Sequence, residues 1–148
     1  MVMSLDEMID YYDMNIDEVT TTKKTIEFWK GLFPELLKQA GISAVEFETL
    51  WKDKSNDGKP RCGKSLEAFK ILRYASITLR KTDLNFLISF RFVRGCSIED
   101  YMITRSVSKG KYYSLEKDSL ILFALRFRQY EDCPDLVVMN EKKSKNER

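Results

Sequence analysis

The chain has 148 residues, 43% of them hydrophobic and 32% charged, with 25 Lys+Arg against 23 Asp+Glu. Such a length buries roughly two-thirds of its unfolded surface without disulfides or metals, and the composition is that of an ordinary globular protein, not a disordered one. The longest apolar run, Leu120 to Leu125, is too short for a membrane-spanning helix, and the absence of histidine removes the commonest general base and transition-metal ligand.

An acidic N-terminus, Met1 to Glu7, argues against a secretory or transit peptide. Three cysteines, Cys62, Cys96 and Cys133, contain no C-x-x-C pair, which points to free thiols in a reducing compartment. The expectation is an intracellular protein, cytoplasmic, nuclear or viral. Charge is segregated: residues 1–53 carry 5 basic and 11 acidic side chains, and residues 54–148 carry 20 and 12. That split points either to a polyanion-facing side or to contact between acidic and basic regions of two copies.

In chain order, Ser4 with Glu7 forms a capping box for a first helix. Asp13 to Lys24 starts like a calcium loop, but Glu18 and Lys24 occupy the positions that need Gly and Glu, so the acids read as a solvated or N-capping turn. Ile26, Trp29, Phe33, Leu36, Leu37 and Ala40 hold helical phase from Thr22 to Ala40. Pro34 inside that run predicts a kink or two short helices in line, with Gly31 easing the bend and Gly41 closing the helix. Ser43 and Glu46 make a second capping box, and the next helix turns Ala44, Phe47, Leu50 and Trp51 toward the core. By spacing both tryptophans belong to the core.

After a polar stretch from Lys52 to Lys64, Ser65 caps a strong helix from Leu66 to about Lys81, with Ala68, Ile71, Leu72, Ala75 and Leu79 on one face. From Leu84 the pattern alternates, and Phe86, Ile88, Phe90 and Phe92 predict a strand. Leu-Ile-Ser-Phe-Arg-Phe at 87–92 is echoed by Leu-Phe-Ala-Leu-Arg-Phe at 122–127, aligning Arg91 with Arg126 and Phe92 with Phe127, as two strands in equivalent environments would. Residues 101–107 and 112–115 read as a hairpin around Ser108-Lys109-Gly110-Lys111, and residues 135–139 as a last strand. Residues 119–131 fit strand or helix, strand preferred. The fold expected is a single α+β domain over residues 1–140, helices first and then a mostly antiparallel sheet, with a charged, disordered tail at 141–148; the alternative is a mostly α fold.

Two constellations carry chemistry. Gly58 to Ser65 spells G-x-x-x-x-G-K-S, in which Gly58 and Gly63 would let the backbone close on phosphates, Lys64 would reach them and Ser65 would bind Mg²⁺. The preceding stretch, Lys52 to Asp57, has no apolar residue, whereas a P-loop leaves a buried strand. A Mg-nucleotide follows only if the P-loop reading holds; otherwise no cofactor is expected. The second constellation is basic: Lys59, Arg61, Lys64, Lys70, Arg73, Arg80, Lys81, Arg91, Arg94, Lys109, Lys111, Arg126 and Arg128. Such groups contact phosphates without choosing sequence. The leading expectation is a non-catalytic protein that engages a polyanion, RNA first. A self-associating interaction protein and a nucleotide-binding protein are the alternatives.

Overall fold

The computed structural model describes residues 15–52, 64–80 and 85–140. Helix α1, Glu18–Glu27, starts at Asp17, whose carboxylate accepts the Thr20 backbone N–H and hydroxyl at 3.0 and 2.7 Å. These two hydrogen bonds hold the Asp17 carboxyl below its usual range. The acidic turn therefore caps a helix. The chain continues through a π-helical turn, Phe28–Leu32, into α2, Phe33–Ala40. Pro34 has no N–H for the Lys30 carbonyl, and the wider turn absorbs that loss by bonding the Phe33 N–H to the Phe28 carbonyl. Phe28, Trp29 and Phe33 are all buried as a result. An added Cβ at Gly31 would meet nothing within 4 Å, so the bend is made by the π turn.

Gly41 ends α2 in the left-handed region at φ 72°, its N–H bonded to the Leu37 carbonyl at 2.9 Å. A Cβ there would fall 2.9 Å from Lys64 Cγ. Gly41→Ala is expected to cost about 1–2 kcal/mol, read as a lower urea midpoint at unchanged slope.

Ser43 and Glu46 form the capping box of α3, Ala44–Glu48, and a 3₁₀ turn follows at Leu50–Lys52. Helix α4, Leu66–Arg80, packs on α2 and α7, burying Ala68, Phe69, Leu72, Ala75 and Leu79. Helix α5, Asn85–Ile88, runs into a second π turn, Ser89–Val93. Ser97 caps α6, Ile98–Arg105, and Ser108 caps α7, Lys109–Phe127.

Helix α7 is the axis of the fold, in contact with α1, α4, α5 and α6. Every residue from Ser119 to Leu125 is buried, so its second half is apolar all round, as a helix surrounded by others must be. The main core joins Trp29 to Phe28, Phe33, Phe47 and Phe123 with ring centroids 5.0–6.1 Å apart. A smaller cluster gathers Leu87, Tyr101 and Tyr112 with Phe86 and Phe90.

The α+β expectation is overturned. Among the described residues 74% are helical and no sheet exists, and the mostly α alternative is the one observed. From Asn85 on, the strand expected after Leu84 is α5 with its π turn, the expected hairpin is α6 and the start of α7, and residues 119–127 complete α7. Residues 135–139 form no strand and make one antiparallel bridge, Met139 to Ile16. The physical cause is burial on several sides. Where apolar side chains meet neighbours all round, period-2 and period-3.6 patterns become indistinguishable over six residues. The first capping box, Ser4 with Glu7, and the tail at 141–148 lie outside the described residues. Among those described, no helix is long and apolar enough to cross a membrane.

Candidate nucleic-acid interface

Among the described residues, the basic side chains differ in how they are engaged. Arg91 is turned into the smaller cluster. Its Nε donates to the Tyr112 hydroxyl at 2.8 Å and its Nη1 to the Cys96 carbonyl at 2.8 Å, while the Tyr112 hydroxyl donates to Glu116 at 2.7 Å. Arg94 forks onto Glu48, with Nη2 to Oε1 at 2.9 Å and Nε to both oxygens at 3.2 Å. Arg126 is half-buried, its Nε without a partner, and Arg128 lies 3.8 Å from Asp135. Lys109 and Lys111 are exposed in the first turn of α7, and Lys70 is exposed on α4. Lys59, Arg61 and Lys81 lie outside the described residues.

Of the G-x-x-x-x-G-K-S segment, Gly58 and Gly63 are likewise outside. Lys64 is exposed, its stem beside Gly41. Ser65 donates its N–H to the Gln39 carbonyl at 2.8 Å, and its hydroxyl accepts the Ala68 N–H at 3.0 Å. The serine groups that a P-loop turns toward ligand are bonded inside the protein here, where they join α2 to α4.

Arg73 and Arg80 line one groove, together with a tryptophan, Trp51, that its spacing assigned to the core. Helical spacing aligns Arg73, Ile77 and Arg80 along α4. The 3₁₀ turn that follows α3 crosses this stripe and sets Trp51 and Lys52 against it, forming a groove of about 430 Å³. The Arg80 guanidinium sits 4.1 Å from the Trp51 ring centroid and the Lys52 ammonium 5.5 Å from it, both within cation–π range. Trp51 is half-buried. Its backbone N–H donates to Ser76 Oγ at 3.1 Å, and that hydroxyl donates to the Phe47 carbonyl at 2.9 Å, so a buried serine fixes the ring's position on α4. Among the described residues, three of the five that line the groove are cationic and none is acidic.

A second, smaller cavity of about 240 Å³ shares Trp51 and Arg80 with this groove and extends to Asn85, Phe86, Ser89 and the Glu48–Arg94 pair. Arg105 lies 4.0 Å from the Phe86 ring. The two cavities therefore meet at an arginine stacked on a tryptophan.

Trp51 and Lys52 were missed because the spacing that makes Trp29 a core residue also predicts Trp51 inside. The available signal was the lysine next to Trp51, at the edge of the polar stretch. The charge segregation is partly resolved within the chain, since Glu18 pairs with Lys117 at 3.2 Å and Glu48 with Arg94 at 2.9 Å. Among the described residues no cluster of His, Cys, Asp or Glu could hold a metal ion. Comparison with protein-family models, with curated proteins and with solved structures finds no match for this chain.

Proposed function

We propose that this protein binds single-stranded nucleic acid, RNA first, in the groove of Trp51, Lys52, Arg73 and Arg80. The observation that carries this reading is a half-buried tryptophan flanked by cations in a groove whose described residues include no carboxylate. Phosphates are drawn by the cations, and displacement of condensed counterions gives salt-dependent affinity. A π face adds stacking of about 1–3 kcal/mol per base, and it accepts any base. A ring fixed in a groove can stack only on a base that is already splayed out, which favours single strands over duplex.

The test is fluorescence anisotropy of a labelled nine-nucleotide RNA at two salt concentrations, with single-stranded DNA and duplex RNA beside it. Trp51→Ala is expected to weaken binding about 5- to 150-fold. Arg73→Ala and Arg80→Ala should each flatten the salt dependence by about 0.7 in the log–log slope. Intrinsic fluorescence supplies an internal control. Trp29 is 1% exposed, so quenching by RNA must come from Trp51. Equal affinity of Trp51→Ala and wild type, or no binding at low salt, overturns the reading.

A further inference from the structure

We propose that the smaller cavity beside the groove seats one unstacked base of the bound strand, with adenine preferred; this rests on the nucleic-acid reading above. Its volume, about 240 Å³, is below the roughly 300–1,000 Å³ of sites that enclose a drug-sized ligand, and suits one flat ring system. Trp51 and Phe86 supply aromatic walls, and Asn85 and Ser89 supply an amide and a hydroxyl. Asn85 and Ser89 stand four residues apart across α5 and its π turn.

The Asn85 amide has no partner among the described residues. A carboxamide offers one donor and one acceptor side by side, the arrangement that reads N7 and the 6-amino group of adenine together. That edge is free on an unpaired base. The two charges at the rim, Arg94 and Glu48, are bonded to each other, so they present no lone charge to a neutral base. Arg80 belongs to both cavities. It is placed to hold the phosphate between a base on the tryptophan and the next base in the pocket.

The test compares a nine-nucleotide uridine RNA with the same strand carrying adenine, guanine, cytosine or an abasic site at its centre. The single-adenine strand is expected to bind about 5- to 150-fold tighter than the all-uridine strand, and the abasic strand no tighter. In Asn85→Ala the ratio of adenine to uridine affinity should fall to about one. Asn85→Asp, which is isosteric, keeps an acceptor and loses the donor to N7, so it should give an intermediate ratio. Circular dichroism establishes that each variant is folded. Trp51-dependent binding with equal affinity for all five strands overturns the adenine pocket and leaves the groove standing. A preference that survives in both Asn85 variants also overturns it, and failure of every strand to bind overturns groove and pocket together.

Discussion

Trp29→Ala is expected to lower stability by about 3–5 kcal/mol, the range for deleting a large aromatic side chain from a packed core, measured by urea denaturation followed by far-UV circular dichroism. Trp29 is 1% exposed and meets the rings of Phe28, Phe33, Phe47 and Phe123. Those partners come from α2, α3, α7 and the π turn itself, so one deletion loosens three helices at once. Against a total stability of about 5–15 kcal/mol for a typical domain, that loss removes a large fraction.

Trp29→Phe separates shape from polarity. The Trp29 Nε1–H is buried without a hydrogen-bond partner, and an unsatisfied buried donor costs about 1–3 kcal/mol. Phenylalanine loses ring area but removes that cost, so the variant should lie within about 1.5 kcal/mol of wild type. If Trp29→Phe instead matches Trp29→Ala, the aromatic cluster is not the source of the stability. Fluorescence of Trp29→Phe then reports Trp51 alone, which sharpens the RNA titration.

What the sequence made legible was wherever local chemistry and tertiary packing agree. Ser43 with Glu46, Ser65 and Gly41 are caps whose hydrogen bonds are local, and each lies where the sequence puts it. Helix α4 was readable because four of its five expected apolar residues are buried and Ile71 is half-buried. Pro34 was readable as a disturbance, though its form, a π turn, depends on which rings the core must receive. Ser108 was misread. Gly110 and the flanking lysines resemble a turn, yet the serine accepts the Lys111 N–H at 3.1 Å and starts the longest of the described helices.

The repeated hexapeptide shows where local reading stops. Residues 87–92 span α5 and a π turn, while 122–127 lie inside α7. Arg91 is bonded to Tyr112 and Cys96, whereas the Nε of Arg126 is unpartnered. Similar hexapeptides occupy different environments because burial comes from other helices. The candidate interface was half legible for a related reason. Arg73 and Arg80 stand out as basic residues on one helix, but only the placement of the 3₁₀ turn against α4 gives them a tryptophan.

Arg91→Ala is expected to cost about 2–4 kcal/mol of stability, because two hydrogen bonds from a charged donor in a half-buried site are lost. The Cys96 carbonyl is left unpaired, and the Tyr112 hydroxyl keeps only Glu116. A guanidinium bound this way braces the second π turn against α7, so RNA affinity of the folded variant should change less than twofold. A large loss of affinity at unchanged stability would reverse that assignment. Arg91→Lys keeps the charge but cannot make both bonds, and it should fall between.

The same network sets a pH dependence. Burial first, and then the hydrogen bond to Glu116, pushes the Tyr112 phenol well above its ordinary value despite the opposing influence of Arg91. The folded state therefore holds this proton where the unfolded chain releases it, near pH 10. The contribution is complete below pH 10 and declines as pH rises above it. Tyr101 and Tyr130, raised chiefly by burial, act in the same direction. Cys133, pushed up to about 12 by burial, starts earlier, near pH 9. Urea midpoints measured from pH 8 to 11 should fall for wild type. They should fall less steeply above pH 10 for Tyr112→Phe, which has no phenol at that position to ionise. Parallel profiles for the two proteins would mean that the Tyr112 proton is not held by the fold.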